Sequence, residues 1–211
     1  MTELRSKYSK EIQDAKSVVT ELLLESDDQW KMCKEWANGS VYYRKSPSMS
    51  GHIYKVVFEL NIGLEKSIQS IYPAPRGFRE KWDPNLERSV ILKEDGESWL
   101  LLSVTKPAMS GLIAGREFID LLTLDRLSLS RVIASGKSVE YPEIPKKSEL
   151  VRGYNHPCGT LWEVISGNQV RISVMYHSDI GGRVPRRLVE KALPSVMQSD
   201  VEALLNYLKT L

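Results

Sequence analysis

Residues 185–211 read PRRLVEKALPSVMQSDVEALLNYLKTL, and their apolar positions recur every three or four residues. This spacing is typical of one face of a long amphipathic helix. The apolar positions of that face are Val189, Leu193, Met197, Val201, Leu204, Leu208 and Leu211. Pro194 lies inside the pattern, so we expect the helix to bend there. A helix with one apolar face must cover an apolar surface, and the rest of the chain predicts which one.

Most of the chain before this helix is strand-like. HIYKVVFELN (52–61) is rich in β-branched and aromatic residues, and Asn38-Gly39 is a strong hairpin signal between two further strands. Residues 4–22 and 63–73 instead have helical periodicity. Six more strand-like segments follow: LERSVILKE, SWLLLSVTK, EFIDLLTLDRL, RVIASGKSVEY, GTLWEVIS and QVRISVMYHSD. Short connections favour antiparallel pairing, so the predicted fold class is α+β.

A single antiparallel sheet needs a cover on at least one face, and the long C-terminal helix is the expected one. A curved sheet that grips one helix leaves room for an internal cavity. No Pro/Gly/Ser-rich linker and no repeat divides the sequence. We therefore predict one domain over residues 1–211.

Composition excludes several classes of protein. The chain has 211 residues and a net charge of +2, without the basic excess of a nucleic-acid binder. Two cysteines are too few for a disulfide framework or a cysteine-rich zinc site. No apolar run approaches the roughly 20 residues of a membrane span, and the first residues have no apolar signal core. We expect a cytoplasmic, monomeric protein that binds no nucleic acid.

Catalytic signatures are largely missing from the sequence. It contains no glycine-rich phosphate loop, no G-x-S-x-G and no H-E-x-x-H motif. Cys158 could form a nucleophile pair with His156 or His177, but a buried small thiol is the commoner explanation. We predict no catalytic residue, no metal site and no cofactor.

Two segments point to a binding function. The first, PAMSGLIAG (107–115), connects two strands and carries no charge. It is either a loop buried against the core or an apolar lid, in which Met109, Leu112 and Ile113 would touch a hydrophobic ligand or a membrane. The second is a group of basic residues at the start of the last helix, which is either a solvated helix face or a patch that attracts anionic lipid headgroups. Its members are Arg183, Arg186, Arg187 and Lys191.

Four motifs resemble those of the START (StAR-related lipid transfer) domain, and most closely its short, single-domain cytosolic members. They are Lys81-Trp82-Asp83, GREFIDL (115–121), VRGYNHPCG (151–159) and ALPS (192–195). The resemblance implies a helix-grip fold, in which a C-terminal helix closes a tunnel that holds one lipid. It also implies that the 107–115 loop and this helix form the entrance, and that the protein transfers lipid without catalysing a reaction. An enzyme on the same scaffold, such as a hydrolase or cyclase, and an interaction domain with a collapsed pocket are the alternatives.

The resemblance also implies which residues meet the lipid. Sterol-delivering members carry an acidic residue and an arginine where this chain has Ser103 and Leu122, so that ion pair is absent and the cavity strands are expected to be uncharged. A bile acid, an oxysterol or another amphipath is then as well matched as a sterol. Arg116 would either orient the ligand or pair with Asp83. By strand and helix alternation, the expected lining is Leu101, Ser103, Thr105, Phe118, Asp120, Leu122, Leu193, Met197, Val201 and Leu204.

Overall fold

The computed structural model describes residues 3–72, 77–108, 111 and 113–211. Its helices are α1 (Glu3–Lys7), α2 (Ser9–Leu24), α3 (Leu64–Ile71), α4 (Arg79–Trp82) and α5 (Arg186–Leu208). The strands are β1 (Lys31–Trp36), β2 (Gly39–Lys45), β3 (His52–Asn61), β4 (Leu86–Glu94), β5 (Ser98–Thr105), β6 (Arg116–Arg126), β7 (Arg131–Ser138), β8 (Val151–Arg152), β9 (Tyr154–Asn155), β10 (Cys158–Ser166), β11 (Gln169–Tyr176) and β12 (Ser178–Asp179). The long elements match the predicted ones in order and type.

One large sheet organises the chain. Its strand order is β1-β2-β3-β11-β10-β7-β6-β5-β4, with every neighbouring pair antiparallel. The short β8 adds to β6 in parallel, and β9 pairs with β12 apart from the main sheet. The predicted β1–β2 hairpin is confirmed, with Trp36 opposite Gly39 across a two-residue turn. The α+β prediction is confirmed as well.

The two ends of the chain cover opposite faces of this sheet. On one face α2 packs against β7, β10 and β11, in a cluster made of Val19, Leu23, Trp30, Ile53, Ile133, Leu161 and Met175. On the other, α5 buries Met197, Val201 and Leu204 in the main core, beside Trp162. Pro194 lies within α5 and does not end it. The predicted N-terminal helix is two helices, because the chain leaves helical geometry at Tyr8.

The sequence prediction missed four short elements. The four residues of α4 are too few to show helical periodicity, and β8, β9 and β12 have two residues each. These elements nevertheless matter, because they lie at the rim of the sheet where the cavities described below are closed. In the part of the chain that the structure describes, no helix is both long enough and apolar enough to cross a bilayer.

Candidate ligand-binding site

An inner cavity of about 260 Å³ lies on the α5 side of the sheet. Its walls come mainly from β5, β6, β7, β10 and β11, and side chains of α3, α4 and α5 lie at its edge. Six residues that sequence alternation selected lie on this wall: Leu101, Ser103, Thr105, Phe118, Asp120 and Leu122. They share one face because successive side chains of a strand point to opposite sides. Their contact with a ligand stays a prediction.

The predicted α5 residues are placed differently. Leu193 borders a second cavity, whereas Met197, Val201 and Leu204 are buried in the packed core and line neither cavity. The physical reason is that the apolar face of α5 packs directly against the side chains of the sheet. The α5 residue that borders the inner cavity is Asp200, about one turn after Met197.

Asp120 is a buried carboxylate held by neutral donors. Its Oδ1 accepts a hydrogen bond from the Ser138 hydroxyl at 2.6 Å, and its Oδ2 accepts one from the Asn155 side-chain amide at 2.9 Å. The Asn155 carbonyl oxygen in turn accepts from the Ser178 hydroxyl at 2.6 Å. Burial raises the pKa of Asp120, while these hydrogen bonds oppose that rise. The result is a fixed polar spot in a mainly apolar wall.

A second polar group enters the inner cavity from α4. Arg79 Nε donates to Asp83 Oδ2 at 2.9 Å, and Asp83 Oδ1 accepts from the backbone N–H groups of Asn85 and Leu86. Asn85 also donates to Asp200 Oδ1 at 2.8 Å. Burial, with a further contribution from Asp83, raises the pKa of Asp200 to about 7.

The expectation of uncharged cavity strands is therefore wrong at β6, where the carboxyl group of Asp120 lines the cavity. Ser103 and Leu122 are indeed neutral, but Arg79, Asp83 and Asp200 bring charge to the same cavity from outside the strands. The signal that could have found the first two is their spacing of four, which puts opposite charges one turn apart on a helix. Nothing in the local sequence marks Asp200, because its position follows from how α5 packs.

A thiol and a phenol border the inner cavity, those of Cys158 and Tyr176, and each is a nucleophile in its ionised form. Burial raises the pKa of both groups well above their ordinary values, so both stay protonated near neutral pH. Within the described residues, no group of His, Cys, Asp and Glu side chains is arranged to hold a metal ion.

An outer cavity of about 360 Å³ adjoins the inner one. It is bounded by Met49 in the β2–β3 loop, by residues 178–182 and Val184, and by the first turns of α5. Phe118, Tyr176 and Ser178 line both cavities and so form the wall between them. Because this cavity is built from loops and a helix end, strand alternation could not have predicted it.

Arg186 differs in its surroundings from the other basic residues of the predicted docking patch. Arg183, Arg187 and Lys191 are exposed, whereas Arg186 borders the outer cavity and its Nη1 is buried without a hydrogen-bond partner. The prediction that all four share one surface is wrong for Arg186. The sequence held a clue, because Arg186 precedes Val189 by three residues and therefore lies on the apolar face of the helix.

The outer cavity also contains a matched pair of side chains. His52 Nδ1 lies 3.0 Å from Glu190 Oε1. Glu190 Oε1 therefore has the imidazole as a partner. It also lies beside Gly51, as Arg186 Nη1 does, but no ion pair joins Glu190 to Arg186 in the described part of the chain.

The loop that bounds this cavity is fastened by a buried serine. Ser46 Oγ accepts the backbone N–H groups of Ser48 and Met49, and it lies 2.8 Å from His177 Nε2. The ring of His177 stacks on His156 at a centroid distance of 4.7 Å. Burial, and to a smaller extent the neighbouring His156, lowers the pKa of His177 to about 4. His177 is therefore neutral near pH 7, and its Nε2 can accept a hydrogen bond from the Ser46 hydroxyl.

Arg116 does not pair with Asp83, and its predicted contact with a ligand stays a prediction. Its side chain donates to the backbone carbonyls of Ala114 and Ile180 and borders neither cavity. The expected partner Asp83 pairs with Arg79 instead. Arg116 therefore ties the end of the apolar loop to the segment that leads into α5.

The apolar loop is described only in part. Met109 and Leu112 lie outside the described residues, so their predicted ligand contact is untested. Ala108 and Ile113 form a bridge through backbone hydrogen bonds of 2.9 and 3.1 Å, which joins the two sides of the loop at its base. Gly111 between them has a φ of 89°, a conformation that glycine adopts easily.

A sheet that holds a long C-terminal helix over an internal cavity defines the helix-grip class, and comparison with known proteins identifies the family within that class. A model of the START domain matches residues 11–210. The chain belongs to the START domain family.

Named relatives agree with this assignment. Human StAR-related lipid transfer protein 5 is 30% identical over 171 residues, which cover 80% of each chain. Human StAR-related lipid transfer protein 6 is 28% identical over 169 residues, covering 79% of this chain and 76% of the relative. A solved structure of the former superposes with a TM-score of 0.88 at 27% identity, covering 96% of this chain and 98% of the other.

Proposed function

We propose that the protein binds one amphipathic lipid in the inner cavity and transfers it between membranes without changing it chemically. The observation that carries this proposal is the inner cavity itself, with apolar strand residues on its wall and Asp120 fixed among them. Small-molecule sites usually occupy roughly 300–1,000 Å³ with a few placed polar groups. The two adjoining cavities together reach that range. The names of the two human relatives support transfer as the role.

The walls favour a rigid, mostly apolar ligand with a hydroxyl or similar polar group, as in a sterol, an oxysterol or a bile-acid-like compound. Each buried CH₂ contributes about 0.8 kcal/mol, so enclosing about ten contributes about 8 kcal/mol before entropic costs. The paired groups Arg79, Asp83 and Asp120 offer a polar end fixed partners without rearrangement. Orientation then comes from these groups and affinity from the apolar wall.

Docking on a membrane is proposed for the surface beside the outer cavity. Arg183, Arg187 and Lys191 are exposed there, and each basic residue near an anionic bilayer contributes about 1 kcal/mol. Arg116 joins this region to the apolar loop. Contact with the membrane would be transient, and the protein would act as a cytoplasmic monomer.

An enzyme on the same scaffold is the second candidate, and one observation favours it. Asp200 borders the inner cavity with a pKa raised to about 7, as a general acid requires. The cavity's nucleophiles argue for binding instead, because the pKa values of Cys158 and Tyr176 are raised. Mass spectrometry of a sterol before and after incubation separates the candidates, since an enzyme changes its mass or retention time.

Filling the inner cavity tests the binding proposal. Ser103→Phe places a ring where the wall faces the cavity, so dehydroergosterol binding and its transfer between vesicles should fall at least tenfold. Ser166→Phe, at the exposed end of β10, adds the same ring outside the cavity and should change neither. Wild-type protein that is folded yet binds no sterol would refute the proposal.

A further inference from the structure

We infer that the outer cavity recognises an acidic group of an amphipathic ligand through Arg186. This inference rests on the proposed function, because it names a chemical class for the ligand of the same site. The ligand's apolar body would lie toward Phe118 and the inner cavity, and its carboxylate or comparable anion would lie beside the guanidinium.

The first argument is the state of Arg186. Its Nη1 packs against Gly51, where a Cβ would collide with it, and has no hydrogen-bond partner. Among the described residues, it is the one buried nitrogen of an arginine or lysine without a partner. A charge removed from water and left uncompensated is costly, and an anion placed beside it recovers that cost. Nη1 itself is closed off from solvent, but Arg186 borders the outer cavity, so an anion held there would lie beside the charge of the guanidinium group.

The second argument concerns the acidic groups of this cavity, which already have partners. Glu190 lies 3.0 Å from His52 Nδ1. Asp179 is exposed to solvent, and its carboxylate accepts the backbone N–H of Gly181 at 2.9 Å. Glu190 Oε1 and Arg186 Nη1 both lie beside Gly51, yet no ion pair joins these two side chains among the described residues.

The start of α5 supplies a third argument. No side chain caps this 23-residue helix, and its first turn contains no acidic residue but two arginines, Arg186 and Arg187. Basic residues oppose the helix dipole at this end, where negative charge is stabilising. A ligand anion at the first turn would meet both the free end of the helix and the guanidinium.

The apolar side chains of the remaining walls favour an anion that is attached to an apolar body. Phe118, Val189 and Leu193 make the cavity apolar on the side that faces the inner cavity. A free inorganic anion would gain nothing from these side chains and would lose its hydration. An anion attached to an apolar body gains from both parts of the cavity.

A matched pair of ligands tests the inference. Cholenoic acid and its methyl ester differ only in the charge of one group, and each can be titrated against bound dehydroergosterol. Wild type should bind the acid about tenfold or more tightly than the ester, as expected for a hydrogen bond to a charged group. Arg186→Gln should lose the preference, so that the acid and the ester displace dehydroergosterol equally well. Arg186→Lys should retain part of that preference.

Arg187→Gln is the matched control, because Arg187 is the next residue of the helix and is exposed. It should keep the full preference for the acid. Thermal midpoints of all variants establish that each is folded. Equal affinity of wild type for acid and ester, or a preference that survives in Arg186→Gln, overturns the inference while leaving sterol binding in place. Failure of wild type to bind dehydroergosterol and both ligands overturns the proposed function as well.

Two further measurements exclude other partners for Arg186. Glu190→Gln should strengthen acid binding a few-fold, because it removes a nearby negative charge. A wild type without preference that gains one in Glu190→Gln would show that Glu190 occupies Arg186 in solution, against the inference. Sodium sulfate should weaken acid binding no more than sodium chloride of equal ionic strength. A specific effect of sulfate would define a free-anion site instead.

Discussion

The two cavities differ in whether the charged side chains on their walls have partners. On the inner wall, Arg79 is bonded to Asp83, and Asp120 is held by Ser138 and Asn155. On the outer wall, Arg186 has a buried nitrogen without a partner. Polar groups that are already paired stabilise the protein without a ligand and change little when one arrives. An unpaired charge costs stability until a ligand compensates it. The paired charges of the inner cavity therefore stabilise the fold, whereas the charge of Arg186 would be compensated by the proposed ligand.

Removing the inner arginine should have the largest effect. Arg79→Leu leaves Asp83 without its ionic partner, and breaking a buried pair in this way costs about 3–5 kcal/mol. Because 37% of the Arg79 side chain is accessible, we expect about 2 kcal/mol, measured by urea unfolding. Arg126→Leu breaks a pair with Glu65 that is more than half exposed and should cost less than about 1 kcal/mol. Equal losses in the two variants would show that the inner pair is not special.

The next effect concerns pH and the inner carboxylate Asp200. Its pKa is about 7 in the folded protein against 3.8 for the free group, so the folded protein keeps a proton that the unfolded chain releases. Its contribution to stability is therefore fully present below about pH 4 and is lost as the pH rises through about 7. Asp200→Asn removes this loss and should raise the thermal midpoint by a few degrees at about pH 8.

Asp200→Asn should leave the midpoint nearly unchanged at about pH 4, which serves as the internal control. The same titration should make sterol affinity depend on pH between about 6 and 8, whereas uncharged cavity strands would predict no dependence. A gain in stability that is the same at both pH values would mean that Asp200 acts through packing alone.

Transfer from anionic vesicles gives a smaller effect, which distinguishes Arg186 from its neighbours. The double variant Arg187→Glu with Lys191→Glu reverses exposed charges and should slow transfer from phosphatidylserine-containing vesicles several-fold. Arg186→Gln should not slow transfer of a neutral sterol, since its guanidinium faces the outer cavity. Vesicles of phosphatidylcholine alone provide the control, on which the double variant should match wild type. If the double variant transfers sterol from anionic vesicles at the wild-type rate, the basic residues form only a solvated helix face.

The smallest expected change is the most direct contrast between the cavities. Arg186→Leu removes an unpaired charge, so the free energy of unfolding of the ligand-free protein should stay the same or rise by up to about 1 kcal/mol. The corresponding change at Arg79 lowers it. A clear loss of stability in Arg186→Leu would mean that the guanidinium is bonded in solution, and the contrast between the cavities would disappear.

The inner wall was predictable because it belongs to long strands. Once two strands were assigned, the period of two fixed which side chains share a face, and Leu101, Ser103 and Thr105 followed together with Phe118 and Asp120. Of the predicted α5 residues, Leu193 borders a cavity and Met197, Val201 and Leu204 lie in the packed core, because periodicity identifies the buried face of a helix without distinguishing core from cavity wall.

The outer cavity could not be read from the sequence in the same way. Its boundaries are loops whose positions depend on long-range bonds, such as Ser46 to His177 and Arg116 to Ile180. These partners are 131 and 64 residues apart along the chain. No local pattern encodes such pairs, and the same holds for Asp200, which reaches the inner cavity only through the packing of α5.

The wall formed by Phe118 and Tyr176 has a calorimetric consequence. Phe118 lies against Gly153, where a Cβ would overlap its ring, so backbone supports the ring from behind. A ligand that stops at this wall removes only the surface of the inner cavity from solvent, whereas one that passes it also covers Val189 and Leu193. Burial of apolar surface lowers the heat capacity of the complex. The heat-capacity change on binding, compared across ligands of increasing length, therefore reports how far each one reaches.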